Sequence, residues 1–270
     1  MPVSVLLFFI FVVIAPPTGL RAHEESAVAL ADLDALIAAA PSEPVLYLRR
    51  AAHREEHADW AAAAADLVRA TALAPADPTV LAALGRLQMA TGDLAAARAQ
   101  FDRALVLAPA DAATLILRAR AHTHLGASAA AHADYTTALR LVVAPTPELF
   151  LARAALPIAP AAALAGVEEG LARLGPAATL LERASVLALQ LGRTDEALRF
   201  VDLLGAHTDR REFSLHRRGK ILAAAGRTAE ARTAFSHAVV SLAAQPEWLR
   251  AATDSRRLAA DLDHATASLK

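Results

Sequence analysis

The chain contains no cysteine among its 270 residues. Disulfide bonds are therefore excluded, and so is a lipid anchor attached to a cysteine. Lysine is nearly absent too, since only Lys220 and Lys270 occur among the 27 basic residues. The formal net charge is −1, so we expect no bulk electrostatic attraction to nucleic acid or to a membrane surface.

Aromatic residues make up only 4% of the chain, whereas hydrophobic residues, chiefly alanine, make up 56%. Alanine has the highest helix propensity, so this composition favours closely packed helices over sheets. The excess of alanine and arginine also indicates a GC-rich bacterial genome. The sequence has no Ser-His-Asp spacing, phosphate-binding glycine loop or dinucleotide-binding fingerprint. We therefore predict no catalytic residues, no enzymatic activity and no cofactor.

One segment of 34 residues, Pro78–Asp111, sets a pattern that recurs along the chain. Apolar residues follow helical spacing in its first half, and do so again after a break at Gly92–Asp93. Gly85 permits two helices to approach closely, Gly92 suits the left-handed end of a helix, and Pro109 cannot continue one. The segment predicts a helix-turn-helix unit. Such a unit must stack on copies of itself to bury its apolar face.

The segment resembles the tetratricopeptide repeat (TPR). The recurring positions that carry the resemblance are Leu81, Leu84, Gly85, Gln88, Ala97, Phe101, Ala104 and Pro109. The resemblance implies an all-α, right-handed α-solenoid of TPR-like helix hairpins with terminal covering helices. It also implies a non-enzymatic protein–protein interaction scaffold or adaptor that binds a protein or peptide partner. A permanent structural subunit of an envelope or export complex is the alternative.

The repeat pattern divides the chain into six segments. We predict a signal peptide over 1–22, an N-terminal helix over 24–43, three regular repeats over 44–145, a degenerate repeat over 146–177, two further repeats over 178–245 and a C-terminal capping helix over 246–270. In the degenerate repeat, Pro157 and Pro160 are expected to interrupt the first helix and leave a shortened second helix from Ala161. This repeat either packs imperfectly or changes the direction of the superhelix.

An almost purely apolar run, Val3–Ala15, precedes Pro16 and Pro17. It is shorter than the roughly 20 residues that a membrane-spanning helix needs. A small residue, Ala22, follows at a plausible cleavage position, so the pattern predicts a cleaved signal peptide and a periplasmic or secreted protein without stable membrane insertion. The alternative is an uncleaved inner-membrane anchor through residues 3–15.

In TPR proteins the first helix of each repeat lines a concave groove. Carried over position by position, the resemblance places six basic residues on that surface: Arg49, Arg86, Arg120, Arg183, Arg217 and Lys220. These residues either receive an acidic partner segment, or are solvated or paired with carboxylates of the chain itself, namely Glu55, Glu56 and Glu182. The carboxylate clamp of chaperone-binding TPR proteins is absent, because Leu48 and Ala52 occupy its positions.

A second set of arginines recurs beside the small residue of each first helix: Arg50, Arg118, Arg153 and Arg218. We predict a structural role for them, with long stems packed between helices and the charged heads at the edge.

One short motif suggests a different chemistry. His53, Glu56 and His57 match the H-x-x-E-H pattern of inverted zinc peptidases, in which two histidines one turn apart bind zinc and the glutamate acts as a base. That chemistry needs a third protein ligand in a context that this chain lacks. We therefore predict no metal site, and a zinc peptidase is the least favoured alternative function.

Overall fold

The computed structural model describes residues 18–268, with side chains from residue 29 onward. These residues form fifteen helices and no strand, which confirms the predicted all-α class. The helices are α1 (Thr18–Ala39), α2 (Pro44–Glu56), α3 (Trp60–Leu73), α4 (Pro78–Ala90), α5 (Leu94–Leu107), α6 (Ala112–His124), α7 (Ser128–Leu141), α8 (Pro147–Ala154), α9 (Pro160–Leu174), α10 (Ala178–Gln190), α11 (Thr194–Ala206), α12 (Arg211–Ala224), α13 (Thr228–Ala243), α14 (Glu247–Arg250) and α15 (Thr253–Ser268). Within this part of the chain, no helix is both long and apolar enough to cross a membrane.

The chain divides into two compact units, residues 1–109 and 110–270. In the first unit, α2 pairs with α3 and α4 with α5, and α1 packs against α2. Its interior is built from small and aliphatic side chains, with Ala51, Leu67 and Leu87 in one cluster and Tyr47 in another. α1 begins inside the predicted signal peptide, of which residues 1–17 lie outside the described part of the chain.

The second unit contains four further hairpins: α6–α7, α8–α9, α10–α11 and α12–α13. α15 then packs against α12 and α13. A single hydrophobic cluster runs through the unit from Ala119 to Leu262. Each unit is therefore a stack of helical hairpins, as the repeat period predicts.

Two local features shape the hairpins: aspartates that cap helices and turn residues with a positive φ. An aspartate precedes several helices and accepts a hydrogen bond from their first backbone N–H groups: Asp59, Asp77, Asp93 and Asp111 do so. In every hairpin except α8–α9, one residue of the turn has a positive φ, which glycine adopts without steric cost. Gly92 has a φ of 92°, which confirms its predicted role, and Ala58 meets the same requirement with a φ of 58° despite its Cβ.

In the repeat predicted to be degenerate, the first helix is short and the second helix is not. α8 has only eight residues and ends at Ala154, so Pro157 lies in the connection. Pro160 starts α9, which runs for a full fifteen residues. Proline is well tolerated at the first turn of a helix, because the N–H that it lacks would be unsatisfied there. The first helix is therefore cut short before Pro157, in line with the prediction, whereas the prediction of a shortened second helix is wrong.

The C-terminal capping segment predicted over 246–270 forms two helices instead of one. The chain forms a short α14, turns after Arg250, and starts α15 at Thr253. The Ser255 hydroxyl donates to the carbonyl of Leu249 at 2.6 Å and fixes this turn. Neither glycine nor a further proline marks the turn, so the sequence pattern does not reveal it.

Candidate functional site

In the first unit, Arg86 on α4 is already engaged by a carboxylate on α2. Its Nε donates to Oε2 of Glu55 at 2.8 Å, and its Nη2 donates to Oε1 at 3.4 Å. Glu55 is nearly buried, with 11% of its side chain exposed, whereas Arg86 is 41% exposed. The pair links the first helices of two successive repeats. Of the two interpretations offered by the sequence, pairing within the chain describes Arg86.

Arg49, also in the first unit, lines a cavity of about 540 Å³ between α1 and α2. Leu33 and Leu36 provide the apolar part of this cavity, and His53 and Glu56 provide the polar part. Arg49 is exposed and forms no ion pair with the described residues. Arg49 is therefore free to meet a partner, in a cavity whose walls are partly apolar and partly polar.

The H-x-x-E-H segment does not assemble a metal site. His53 lies in α2, whereas His57 is the residue that ends it, and their ring centroids are 4.9 Å apart with the planes tilted by 44°. Among residues 29–268, no group of three His, Asp or Glu side chains is placed to hold a metal ion. The two rings therefore contact each other rather than converge with a third ligand on a common point.

In the second unit, Arg120 on α6 is exposed and makes no ion pair with the described residues. Arg183 on α10 donates from Nη2 to the carbonyl of Ala154 at 3.0 Å, so it fastens α10 to the end of α8. These two predicted groove residues thus differ: one is a free surface cation, and the other completes the backbone hydrogen bonding of a neighbouring helix.

The remaining two predicted residues, Arg217 and Lys220, lie on α12 beside two adjoining cavities that we call the α12 groove. The first cavity, of about 450 Å³ between α10 and α12, is lined by Val186, Leu189, Phe213, His216, Arg217 and Lys220. The second, of about 360 Å³ between α12 and α15, is lined by Phe235, Asp261 and His264 and again by His216 and Lys220. The two cavities adjoin at the side chains that they share, His216 and Lys220.

The charges in the α12 groove are arranged unevenly. Nη2 of Arg217 lies 3.0 Å from Oε1 of Glu182 on α10. Lys220 is exposed and has no ion pair with the described residues. The half-buried His216 has a pKa below its ordinary value, first because burial disfavours the charged ring and second because Lys220 lies nearby. Asp261 opposes these effects.

The second set of arginines has the predicted structural role, and the structure adds their acidic partners. Arg118 on α6 binds Asp134 on α7 through two hydrogen bonds of 2.8 and 2.7 Å. Arg153, only 5% exposed, donates to Glu169 at 2.6 Å. In both hairpins, as for Arg50 with Asp66, the acid follows the arginine by sixteen residues. That constant spacing is a sequence signal that the repeat register alone did not bring out.

Arg218 departs from this rule. It binds Asp202 on the preceding helix α11, with Nη1 at 2.6 and 2.8 Å from the two carboxylate oxygens. It therefore ties two successive hairpins together instead of closing one.

Several solved structures are similar to much of this chain. The C-terminal part of a TPR repeat-containing protein from Cytophaga hutchinsonii is 15% identical with a TM-score of 0.66, over 85% of this chain and 95% of that one. Pseudomonas aeruginosa pilF is 15% identical with a TM-score of 0.55, over 81% of this chain and 97% of its own. YrrB, a TPR protein with an unusual peptide-binding site, is 16% identical with a TM-score of 0.51, over 65% of this chain and 91% of its own.

No protein-family model and no curated protein matches the chain. At identities of 15–16%, the likeness to solved structures concerns the fold alone. The helical hairpins, their close-packed small residues and these structural neighbours agree: the chain has the fold of the tetratricopeptide-repeat solenoids.

Proposed function

We propose that this protein is a non-enzymatic interaction scaffold that binds a segment of a partner protein on the first helices of its hairpins. The observation that carries the proposal is the α12 groove, in which Val186 and Phe213 lie beside the unpaired cation Lys220. A groove with an apolar floor and a few charged groups is the usual form of a peptide-binding surface. YrrB supports the proposal, since it has the same fold and a peptide-binding site.

The six basic residues predicted from the resemblance now fall into two groups. Arg86, Arg183 and Arg217 already hold a carboxylate or a carbonyl of the chain. Arg49, Arg120 and Lys220 are exposed and unpaired among the described residues. We propose that the unpaired group contributes to partner binding, Arg49 in the first unit and Arg120 and Lys220 in the second. The paired group does so only where a partner carboxylate displaces the carboxylate or carbonyl that it already holds.

Photo-crosslinking tests this proposal. A photoreactive amino acid at Val186, in the α12 groove, is expected to capture a defined partner protein in the native cell. The matched control is Leu203 on the second helix α11, which is similarly exposed, at 47% against 40%. The captured partner should then bind the purified chain. Equal capture from both positions would place the binding surface elsewhere.

The alternative of a permanent structural subunit predicts a different behaviour for the same partner. An obligate subunit would elute from size-exclusion chromatography only as a complex, with no folded monomer. A reversible scaffold would elute as a folded monomer that joins its partner in proportion to concentration.

We also propose that the protein works in the bacterial cell envelope, periplasmic or secreted. This rests on the apolar run Val3–Ala15 and the small residue Ala22, both in the sequence. N-terminal sequencing of protein from the native envelope should give a start near His23. A start at Met1 would favour the anchored alternative.

A further inference from the structure

We propose that the α12 groove recognises an extended segment in which an aliphatic or aromatic side chain neighbours a glutamate or aspartate. The apolar side chain would enter the cavity between α10 and α12, and the carboxylate would lie against Arg217 and Lys220. This rests on the proposed scaffold function and names the class of partner segment.

The apolar half of the site is built from side chains that α10 and α12 leave uncovered. Val186 is 40% exposed, and Leu189 and Phe213 are only partly buried against the hydrophobic cluster of the second unit. Val186 and Leu189 are three residues apart on one helix and therefore share a face. Phe213 faces them across the first cavity. An apolar partner side chain here would remove both surfaces from water, which is the main source of favourable free energy in such contacts.

The charged half of the site lies one turn along α12. Arg217 and Lys220 are three residues apart, so both reach the same stretch of groove. Arg217 is held by Glu182 in a partly exposed pair, 34% and 46% exposed respectively, and pairs of this kind are weak. A partner carboxylate between the two cations would compensate Lys220 and would compete with Glu182 for Arg217.

The open course of the groove favours a side-chain carboxylate over the end of a chain. His216 and Lys220 also line the second cavity, between α12 and α15, so the α12 groove has open space on both sides of Lys220. A segment that crosses the cations therefore has room on both sides of them. The second cavity carries the acid Asp261, so the partner's carboxylate is expected on the α10 side of Lys220 rather than beside α15.

The test uses the purified full chain and fluorescent peptides of about ten residues, roughly 30 Å long when extended. The peptides of three series are acetylated and amidated, so that their only carboxylates are side chains, and a fourth series repeats the Gln peptides with a free C-terminal carboxylate. One series places Leu or Phe next to Glu, a second replaces Glu with Gln, and a third replaces the apolar residue with Ser. We expect the first series to bind at least about threefold more tightly than the second or the third, as a partly screened charge pair allows.

Three variants of the chain sharpen the result. Glu182→Gln releases Arg217 and should strengthen binding of the first series. Lys220→Ala should weaken it about threefold, while leaving the Gln series unchanged. Arg199→Ala, which removes a 76% exposed arginine on α11, is the matched control and should change neither.

The possible outcomes distinguish the acidic-segment inference from the scaffold function on which it rests. If the Glu and Gln series bind equally well, or if Glu182→Gln and Lys220→Ala leave binding unchanged, the acidic-segment inference is overturned. The groove would then still bind peptides. Preference for the uncapped C-terminus of an otherwise equal peptide overturns the choice of a side-chain carboxylate. Absence of binding by all series overturns the inference, and the crosslinking result at Val186 then shows separately whether the scaffold function also fails.

Discussion

Gly85 lies directly against the ring of Phe101, and no side chain fits between them. A Cβ built on Gly85 would be 2.6 Å from Cε1 of the ring, well inside van der Waals contact, and Phe101 is fully buried. The same relationship holds between Gly219 and Phe235, again sixteen residues apart. In the first hairpin the corresponding residues are Ala51 and the smaller Leu67. In these three hairpins the larger aromatic ring faces glycine and the smaller leucine faces alanine.

Gly85→Ala should destabilise the protein by about 1–3 kcal/mol, because a methyl group must be forced against a ring that has no room to move. Phe101→Leu should be destabilising as well, since it leaves a cavity. The double variant reproduces the Ala–Leu pair of the first hairpin and should cost less than the sum of the two single changes. Chemical denaturation of the four proteins measures this coupling. Strict additivity would show that residues 85 and 101 do not constrain each other.

Much of this packing can be predicted from the sequence, because it depends on residues at fixed spacing. The repeat period fixes the hairpins, Gly85 indicates a close approach, and Gly92 and Pro109 mark where helices end. The turn after Arg250 could not be predicted, because it is held by the Ser255 hydroxyl on Leu249 rather than by a helix-breaking residue.

The engagement of the groove arginines could not be predicted for a similar reason. Arg86 reaches Glu55 and Arg183 reaches the carbonyl of Ala154 on a different helix. Such contacts depend on side-chain direction across an interface, which residue spacing does not encode. The sequence could offer pairing only as one of two interpretations.

Ala58→Gly should stabilise the protein. Ala58 occupies the turn position that Gly92 occupies in the next repeat, and its φ of 58° places its Cβ close to the following carbonyl. Glycine removes this strain, so we expect a gain of about 1 kcal/mol in the free energy of unfolding, reduced by the greater freedom of glycine in the unfolded chain. Gly92→Ala is the reverse substitution at the equivalent turn and should lower the free energy of unfolding by a similar amount. If thermal denaturation showed that Ala58→Gly lowers stability, the strain at this turn would be disproved.

Arg210→Met should destabilise the C-terminal end of the second unit. Glu212 is fully buried, and its carboxylate accepts from Nε of Arg210 at 2.8 Å and from Nε2 of Gln245 at 3.1 Å. The same guanidinium reaches Asp254 at 2.8 Å and Ser255 at 2.7 Å, so it joins the start of α12 to the start of α15. Removing it leaves a buried charge without its cation, which costs about 3 kcal/mol or more.

The adjacent Arg211 is exposed and supplies the control for this prediction, since Arg211→Met removes the same charge from the same turn. Hydrogen exchange should accelerate across α15 in the Arg210 variant and remain unchanged in the Arg211 variant. Equal effects would show that the Arg210–Glu212 pair does not hold α15 in place.

Stability should fall as the pH drops below the ordinary histidine pKa of 6.5, and His216 should account for part of the loss. Its pKa is lowered in the folded protein, so the unfolded chain binds a proton at a pH where the folded protein does not. The contribution is therefore complete above 6.5 and is lost as the pH falls towards the folded value. His216→Gln should flatten this part of the stability profile.

NMR titration of the His216 ring distinguishes the causes of the shift. Lys220→Ala should raise the pKa of His216, because it removes a nearby positive charge, and Asp261→Asn should lower it further, because it removes the opposing negative charge. A charged Glu peptide bound in the α12 groove should act like an added negative charge and raise the pKa, whereas its Gln counterpart should do so less. If the Glu peptide binds and leaves the titration of His216 unchanged, its carboxylate does not lie beside Arg217 and Lys220.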